Sequence, residues 1–346
     1  MTAEVGVVIV SWQVRALLAR CLESLAASAW PLRVVVVDNA STDGTLAQLR
    51  PRFPEHTWQA NPDNAGFTRA NNQGFRLLGL TGIQGGAPAV PAAGLAPPPY
   101  TLILNPDTEL APDAIARLVA VLEAHPEAGA VGPALHYPDG SPQPSRRRFP
   151  SPWVGLVEST PIGWHLPGLP AIRRFHMADA PEEAGEVDWL TGAAILFRSA
   201  ALEAVGGFDE GFFMYSEELD LCRRLHRAGW RLRYEPAARV LHHEGKSSEQ
   251  VVPRRHRMFQ RSRVRYFYKH HGRAAGALLR WGILAQFAFE AGLEGLKWLA
   301  GHKRPLRRAR VAAYASVLRD GLAPGALGPG PSPDPGPDAR QARPEA

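Results

Sequence analysis

Two unbroken runs of β-branched residues limit the fold of this chain more than any other feature. Val5 to Val10 is continuously apolar, and four valines fill positions 34–37. Such runs predict strands that are covered on both faces, as in a parallel sheet between two helical layers. The apolar residues between the two runs recur at helical spacing (Leu17, Leu18, Cys21, Leu22 and Leu25). The order strand, helix, strand therefore predicts an α/β fold with parallel pairing and right-handed crossovers.

The same alternation continues along the chain. Further helices are predicted at 67–79, 112–124 and 216–228, and further strands at 101–104, 129–135, 187–197, 231–234 and 239–242. Residues 138–186 hold many Pro, Arg and Trp and predict irregular structure. The sheet is therefore expected to be mostly parallel, with helices on both sides.

The composition supports one large domain with an appendage. The chain has 346 residues, of which 45% are apolar, so a sizeable core can be buried. We predict an α/β domain over residues 1–250, with a Gly/Ala/Pro-rich loop insertion at 81–99. A basic helical extension follows at 251–322, and a Pro/Gly-rich disordered tail occupies 323–346.

The extension carries a dense basic tract within 254–310, and the whole chain has a net charge of +6. Such a tract suits the phosphates of a nucleic acid or of a membrane surface. No recognisable reading motif accompanies the arginines, which argues against nucleic acid. Two alternatives stay open for the helix near 274–300: it packs on the α/β domain, or it contacts an anionic membrane.

Targeting signals are lacking in the sequence. The two cysteines, Cys21 and Cys222, lie far apart and give no metal spacing, which fits a reducing compartment. The N-terminus has no basic region, and no stretch of about 18 apolar residues is free of charge. We therefore expect a cytoplasmic protein without a transmembrane helix, in peripheral contact with the inner face of the cell membrane through 254–310.

Polar residues follow each predicted parallel strand, and the carboxyl ends of such strands are where ligands bind in open α/β sheets. They are hydrogen-bonding groups suited to a nucleoside: Ser11, Trp12, Asp38, Asn39, Asn64, Gly66, Asn71, Asn105 and Asp107. Neither a Gly-x-Gly-x-x-Gly motif nor a P-loop is present. A bound nucleotide would then need its phosphates neutralised by a divalent cation.

Asp107 is the best candidate ligand for that cation, because a carboxylate beside a nucleotide suits a hard cation. The alternative is that Asn105-Pro106-Asp107 is an ordinary turn that caps the next helix. His242 follows the last short strand and could add a nitrogen ligand, although the neighbouring His243 leaves the choice open.

An acidic cluster, Glu217, Glu218 and Asp220, opens the helix predicted at 216–228. Acidic residues favour a helix N-terminus through its dipole, which would account for them without any function. The functional interpretation is a general base that deprotonates an attacking hydroxyl.

These segments together resemble the family 2 glycosyltransferases, and within them the bacterial rhamnosyltransferase-like group. The resemblance runs from Val5 to about Ser248. It is carried in order by the stretches 7–12, 37–44, 64–72, 104–108, 187–193 and 206–221, and by Pro236 and His242. Several motifs in one order are far more specific than any motif alone.

The resemblance implies a GT-A fold that binds a nucleotide diphosphate-sugar. It suggests dTDP-rhamnose as the donor, with UDP- and GDP-sugars as alternatives, and a saccharide or lipid-linked acceptor of a bacterial cell-envelope polysaccharide. Asp38 looks like the residue that reads the pyrimidine. Asn105 and Asp107 occupy the Asp-x-Asp motif, so that Asp107 and His242 would bind Mg²⁺ or Mn²⁺.

The resemblance also implies roles at the reacting centre. Glu218 stands where the family has its Asp base, and Glu217 remains an alternative, with Asp188 as a third catalytic candidate. Trp189, Gly192 and Asp220 are expected to contact the sugar or the acceptor. The implied reaction is inverting and metal-dependent. The rival interpretations are a nucleotidyltransferase, whose Gly-rich loop is lacking here, and a non-catalytic protein that kept the fold.

Overall fold

The computed structural model describes residues 4–86, 96–158, 168–180, 182–243, 252–301 and 303–325. The strands are β1 Val5–Ser11, β2 Leu32–Asp38, β3 Thr57–Ala60, β4 Tyr100–Leu104, β5 Thr108–Leu110, β6 Ala128–His136, β7 Pro142–Gln143, β8 Arg146–Arg147, β9 Gly185–Glu186, β10 Trp189–Leu190, β11 Ala194–Arg198 and β12 Arg231–His242. The helices are α1 Arg15–Ala26, α2 Thr45–Arg52, α3 Phe67–Leu77, α4 Ala114–Ala124, α5 Pro152–Val157, α6 Pro170–His176, α7 Ser199–Val205, α8 Glu217–Arg227, α9 Val252–Leu299 and α10 Arg304–Asp320.

A ten-stranded sheet forms the centre of the molecule, in the order β3-β2-β1-β4-β11-β6-β12-β5, with β7 and β9 paired at its side. The valine-rich strands β1 and β2 lie side by side and parallel. Val7 and Ile9 of β1 enter one apolar core, and Val8 and Val10 enter another on the opposite face. The expected fold, a mostly parallel sheet covered by helices on both faces, is confirmed.

One central strand departs from parallel pairing. β11 runs antiparallel to both of its neighbours, β4 and β6. Its beginning, rather than its end, therefore lies beside the carboxyl end of β4. This reversal brings the residues that precede Ala194 to the edge where the parallel strands end.

The region predicted to be irregular, 138–186, contains the short elements β7, β8, α5, α6 and β9. The extended segment predicted at 187–197 is divided between β10 and β11, and β10 pairs with β8 in a separate two-stranded sheet. The strands predicted at 231–234 and 239–242 form one strand, β12, whose register shifts between Glu235 and Arg239. Part of the predicted loop insertion, 87–95, and the tail from 326 lie outside the described residues.

The C-terminal extension is divided at Gly272, whose backbone (φ 86, ψ 174) interrupts α9. The side chains before this kink, from 257, pack on the α/β domain: Val264, Tyr266 and Phe267 share an apolar cluster with Phe212 of that domain. This half of α9 therefore packs on the α/β domain, and the two alternatives for the helix near 274–300 concern the half that follows Gly272. In the described part of the chain, every helix is too short or too polar to cross a membrane.

Candidate active site

The ends of β1 and β2 place Ser11 and Asp38 directly opposite each other in the sheet. Asp38 is fully buried; its Oδ1 accepts a hydrogen bond from the Ser41 backbone amide at 2.8 Å. Asp38 Oδ2, Ser11 Oγ and Trp12 Nε1 are buried without a hydrogen-bond partner among the described residues. Burial raises the pKa of Asp38 above its usual value, and the hydrogen bonds from Ser41 offset part of that rise. Buried polar atoms of this kind are matched by the polar edge of a ligand.

The loops after these two strands are tied together in an uncommon conformation. Gln13 and Ala40 both adopt positive φ angles, of 55° and 60°. The Gln13 amide donates to Ser41 Oγ at 3.0 Å, and the Gln13 side chain donates to Thr42 Oγ1 at 2.9 Å. Left-handed backbone at non-glycine residues is costly and tends to be kept at functional sites.

Three of the asparagines predicted to bind the nucleotide, Asn39, Asn64 and Asn71, form hydrogen bonds with backbone groups of the protein. Asn39 donates to the Gly66 carbonyl at 3.3 Å, and Asn64 Oδ1 accepts from the Gly66 amide at 3.0 Å. Asn71 is 1% exposed and donates to the Phe67 carbonyl within its own helix. Gly66 has φ +85, and an added Cβ would come within 2.8 Å of the Phe213 carbonyl, so a larger residue would not fit.

Asp107 and His242 meet at the same edge, because Thr108 of β5 pairs with His242 of β12. Asp107 Oδ1 lies 3.4 Å from His242 Nε2, and both side chains are nearly buried. Asn105 Nδ2 also lies 3.4 Å from His242 Nε2. The side chain of His243 instead contacts Glu109, with 2.7 Å between Nε2 and Oε1, so His242 is the better candidate ligand of the two histidines.

A residue that the sequence did not single out orients His242. Gln143 Oε1 lies 2.9 Å from His242 Nδ1. An amide oxygen accepts, so Nδ1 donates in this contact, and Nε2 is the ring nitrogen that faces Asp107. Such a contact behind a histidine is typical of metal ligands. No sequence signal could have identified Gln143, since it lies in the stretch without periodicity.

Asp107 and His242 together suit a hard divalent cation, since such ions take one or two protein ligands and fill their other positions with phosphate and water oxygens. The described residues include no cluster of three or more His, Cys, Asp or Glu side chains that could hold an ion by themselves. The residues present therefore fit a cation that a bound diphosphate helps to hold.

Glu218 reaches the same edge from α8. A Cβ added at Gly192 would lie 3.4 Å from the Glu218 Cβ, and the next residue, Ala193, accepts a hydrogen bond from the Asn105 amide at 2.8 Å. Glu218 Oε2 and Glu217 Oε2 are both buried without a hydrogen-bond partner among the described residues. Burial raises the pKa of both carboxyls, and their mutual repulsion raises that of Glu217 further.

Arg147 of β8 is a second residue that the sequence analysis missed. Its charge acts on Glu218 to lower the pKa and so opposes part of the effect of burial. The Arg147 guanidinium lies over the Trp189 ring, 5.6 Å from its centroid. We expected Trp189 to contact the sugar or the acceptor. Besides its contact with Arg147, its indole N–H donates a hydrogen bond to the Arg148 carbonyl.

The turn directly before Glu217 and Glu218, at the start of α8, has a strained backbone. Tyr215 and Ser216 are consecutive non-glycine residues with φ of 72° and 61°. Each left-handed residue of this kind costs about 1–3 kcal/mol unless its surroundings hold it. Ser262 Oγ donates to the Met214 carbonyl at 2.7 Å and so holds this turn from α9.

Two predicted site residues have different roles in the structure. Asp188 uses both carboxylate oxygens elsewhere: Oδ2 accepts from the Phe149 amide at 2.8 Å, and Oδ1 pairs with Arg148 at 3.2 Å. Asp220, expected to contact sugar, is fully buried and binds Arg224, Lys269 and His270. The sequence grouped Asp220 with the glutamates because all three open one helix, but the helix turns Asp220 toward α9 and away from a ligand.

A cavity of about 1180 Å³ opens beside Asp188. Its walls include Arg148, Arg173 and Arg174, together with the apolar side chains of Phe149 and Phe175. This combination of guanidinium groups and aromatic rings suits a phosphate attached to an apolar group.

Comparison with known proteins places this geometry in context. The sequence profile described as "Glycosyltransferase like family 2" matches residues 3–260. An N-acetylglucosaminyl-diphospho-decaprenol L-rhamnosyltransferase of Mycobacterium tuberculosis H37Rv is 33% identical over 294 residues, which are 85% of this chain and 93% of the relative. The rhamnosyltransferase WbbL of Escherichia coli K12 is 40% identical over 80 residues, 23% of this chain and 30% of the relative.

Solved structures show the same fold. A mannosyltransferase of Pyrobaculum calidifontis, in complex with GDP-Man and Mn²⁺, superposes with a TM-score of 0.51 at 20% identity, covering 92% of this chain and 88% of that one. GalNAc-T7 with UDP, GalNAc and Mn²⁺ gives a TM-score of 0.53 at 15% identity, covering 77% and 48%. These similarities identify the sheet and helices as a GT-A fold.

Proposed function

Because this chain belongs to glycosyltransferase-like family 2 and is a glycosyltransferase, we propose that it transfers rhamnose from a dTDP-linked donor to a lipid-linked acceptor, with inversion and with a divalent cation. Family membership sets aside the nucleotidyltransferase alternative. The observation that carries the proposal is the meeting of three groups at one sheet edge: buried Asp38, the Asp107–His242 pair, and the Glu218 carboxylate against Gly192.

The proposed sugar and acceptor follow from a relative that matches most of this chain. The mycobacterial protein is named for transfer of L-rhamnose to N-acetylglucosaminyl-diphospho-decaprenol. A diphospholipid acceptor also suits the cavity beside Asp188, where Arg148, Arg173 and Arg174 line an opening with aromatic walls. We infer an acceptor that presents a sugar hydroxyl at Glu218 and carries its phosphates toward these arginines.

Asp38 is the proposed contact for the nucleotide base. Its unpaired Oδ2 is buried at the end of β2, next to Ser11 Oγ and Trp12 Nε1. A thymine or uracil ring offers an N–H between two carbonyl oxygens, so one acceptor flanked by donors matches a pyrimidine edge. The N–H donor also stabilises the ionised form of a carboxyl whose pKa burial has raised.

Asp107 and His242 would hold the cation, with Gln143 fixing the tautomer of His242. When bound, such a cation offsets the negative charge that develops on the departing diphosphate. The protein keeps both side chains nearly buried, which strengthens their electrostatic contacts with a diphosphate.

Glu218 is the proposed general base. It would take the proton of the acceptor hydroxyl as that oxygen attacks the anomeric carbon, on the face opposite the diphosphate, which inverts the centre. The contact with Gly192 and the charge of Arg147 favour Glu218 over Glu217, because Arg147 helps to keep Glu218 ionised. Glu217 carries the more strongly raised pKa and lies 6% exposed, so we assign it a supporting role.

The test is a transfer assay on the full chain with dTDP-rhamnose, UDP-sugars and GDP-sugars, each with a short-chain polyprenyl diphosphate N-acetylglucosamine acceptor. We expect dTDP release and a rhamnosylated product, loss of both with a chelator, and recovery with Mg²⁺ or Mn²⁺. Asp107→Asn and His242→Ala should each lower turnover and raise the metal concentration needed for half-maximal rate.

Two outcomes would contradict the proposal. Turnover that persists after exhaustive chelation would remove the cation from the reaction. Transfer from a GDP-sugar alone would overturn the pyrimidine assignment of Asp38. The matched control is Arg117→Ala, an exposed residue of α4 whose salt bridge with Asp113 lies on the surface.

A further inference from the structure

The half of α9 that follows Gly272 turns an apolar stripe outward. Leu278, Trp281, Phe289, Leu296 and Leu299 are between 62% and 70% exposed. Their spacing, with exposed Ala285 and Gly292 between them, keeps all of them on one side of the helix. At 1.5 Å per residue, the stripe extends over roughly 30 Å. We call these five side chains the outer stripe.

The outer stripe is unusual for the surface of this molecule. The opposite side of the same helix is already buried, as the packing alternative for the helix near 274–300 expects: Leu279, Ile283 and Phe287 pack in the apolar cluster of the extension. Ten large apolar side chains are exposed among the described residues, and eight of them lie between 278 and 306. Contiguous exposed apolar surface of this extent marks an interaction site rather than ordinary scatter.

Basic side chains border the outer stripe, and acidic ones do not. Arg273 lies before it, and Lys303, Arg304 and Arg308 lie after it, all exposed. The sequence from 273 to 320 holds nine Lys and Arg but three Asp and Glu.

The two acids of this half of α9 are engaged with the protein. Glu294 is 6% exposed and is bound by Arg307 at 2.8 Å, with Lys297 nearby at 3.4 Å. Glu290 accepts from Gln286 at 3.0 Å. The surface that remains is therefore apolar in the middle and positively charged at its ends.

We propose that the outer stripe docks on the surface of an anionic lipid bilayer, lying in the plane of the interface. Apolar side chains with Trp enter the headgroup region, while arginines and lysines attract anionic lipids. A second copy of this chain is a poorer occupant. Two copies would bring their basic borders together, and this like-charge repulsion opposes their association.

The docking extends the proposed function, since a lipid-linked acceptor is presented at a bilayer. It does not depend on the donor or on the reaction. Vesicle binding is measured without either substrate, so its failure and the failure of the proposed transfer are separate results.

The test is flotation of the full chain with vesicles of phosphatidylglycerol and phosphatidylethanolamine, compared with vesicles of phosphatidylcholine alone. The first variant is Trp281→Ser with Phe289→Ser and Leu296→Ser, which changes exposed side chains only. The second is Arg304→Glu with Arg308→Glu, and its matched control is Arg50→Glu with Arg52→Glu on α2. Thermal melting of each variant checks that the fold is kept.

We expect the unaltered chain to float with the anionic vesicles, and each extension variant to lose about tenfold in binding while the α2 control does not. Binding by the triple serine variant equal to that of the unaltered chain would overturn the proposal. Absence of flotation of the unaltered chain would also overturn it. A dimer in analytical ultracentrifugation that the triple variant dissociates would then assign the stripe to a second copy.

Discussion

The first turn of α8 carries two acidic regions that differ completely in their surroundings. Glu217 is buried and Glu218 is half-buried, and each has one buried carboxylate oxygen that lacks a hydrogen-bond partner among the described residues. Asp220, in the same turn, is buried against two cationic side chains, Arg224 at 2.8 Å and Lys269 at 2.7 Å, and against the imidazole of His270 at 2.7 Å. Burial acts to raise the pKa of all three carboxyls. Only at Asp220 do the His270 hydrogen bond and the neighbouring charges outweigh it and hold the pKa well below its usual value.

This difference shows how one helix start serves two purposes. A carboxylate whose hydrogen bonds are all made by the protein has none left for a substrate, so Asp220 joins α8 to the extension. A buried carboxylate oxygen without a hydrogen-bond partner destabilises the ionised form of the carboxyl. A proton taken from a substrate relieves this cost.

Replacement of the proposed base should have the largest effect. Glu218→Gln keeps the shape of the side chain and removes its ability to accept a proton, so we expect kcat to fall by roughly 10²–10⁴-fold. Donor affinity, measured by calorimetry, should stay within about twofold. Glu186→Gln, an exposed glutamate on β9, is the matched control. Near-normal turnover in Glu218→Gln would reject the assignment.

Removal of the negative charge of Asp220 should lower the stability of the fold. Asp220→Asn leaves Arg224 and Lys269 beside a neutral side chain, and breaking a buried ion pair costs about 3–5 kcal/mol. We expect that decrease in the free energy of unfolding in urea titrations. Asp113→Asn, which breaks the surface pair with Arg117, should cost less than about 1 kcal/mol. Equal effects of the two substitutions would show that Asp220 is not the anchor described here.

The pH dependence of turnover should report the raised pKa of the base. Burial favours the protonated form of Glu218, so its active, ionised form is lost at a higher pH than for an ordinary glutamate, whose pKa is 4.5. The acidic limb of the kcat/KM profile, which reports ionisation in the free enzyme, is therefore expected above pH 4.5. Arg147→Gln removes a charge that favours ionisation and should move this limb to still higher pH. If the acidic limb does not move in Arg147→Gln, the charge of Arg147 does not influence the ionisation of Glu218.

The smallest expected effect is that of replacing Glu217. This replacement should increase the free energy of unfolding, whereas replacement of Asp220 should decrease it. Burial raises the folded-state pKa of Glu217 above that of the unfolded chain. Its cost to stability is therefore absent below the unfolded pKa and grows as the pH rises toward the folded pKa. Glu217→Gln should increase the free energy of unfolding by about 1 kcal/mol at pH 8, and by less at pH 4.5. A decrease at pH 8 would contradict this explanation.

Much of the fold could be predicted from the sequence because the strands of the first half are buried on both faces. The predicted helices at 67–79, 112–124 and 216–228 correspond to α3, α4 and α8 within a few residues. The antiparallel course of β11 was not predictable in the same way. Its apolar pattern is the same in either direction, and only its partners in the sheet decide the orientation.

The candidate site was predictable only where a motif marks it. Asp38, Asp107, His242 and Glu218 lie in motifs, whereas Gln143 and Arg147 come from a segment with no periodicity and act through contacts distant in sequence. The motif also grouped Asp220 with the glutamates, because a linear pattern carries no information about which side of a helix faces α9. Fully buried ion pairs of this kind become visible only in three dimensions.

Gly272 sets the direction of the part of the extension that follows it. Its φ of 86° lies where only glycine is at ease, and an added Cβ would meet nothing within 4 Å, so backbone conformation alone reserves this position for glycine. A residue that favours the right-handed helix here would straighten α9 and swing everything beyond it into a new direction. On the proposed membrane surface, this backbone angle would help to set the tilt of the enzyme and the distance of its reaction centre from the bilayer.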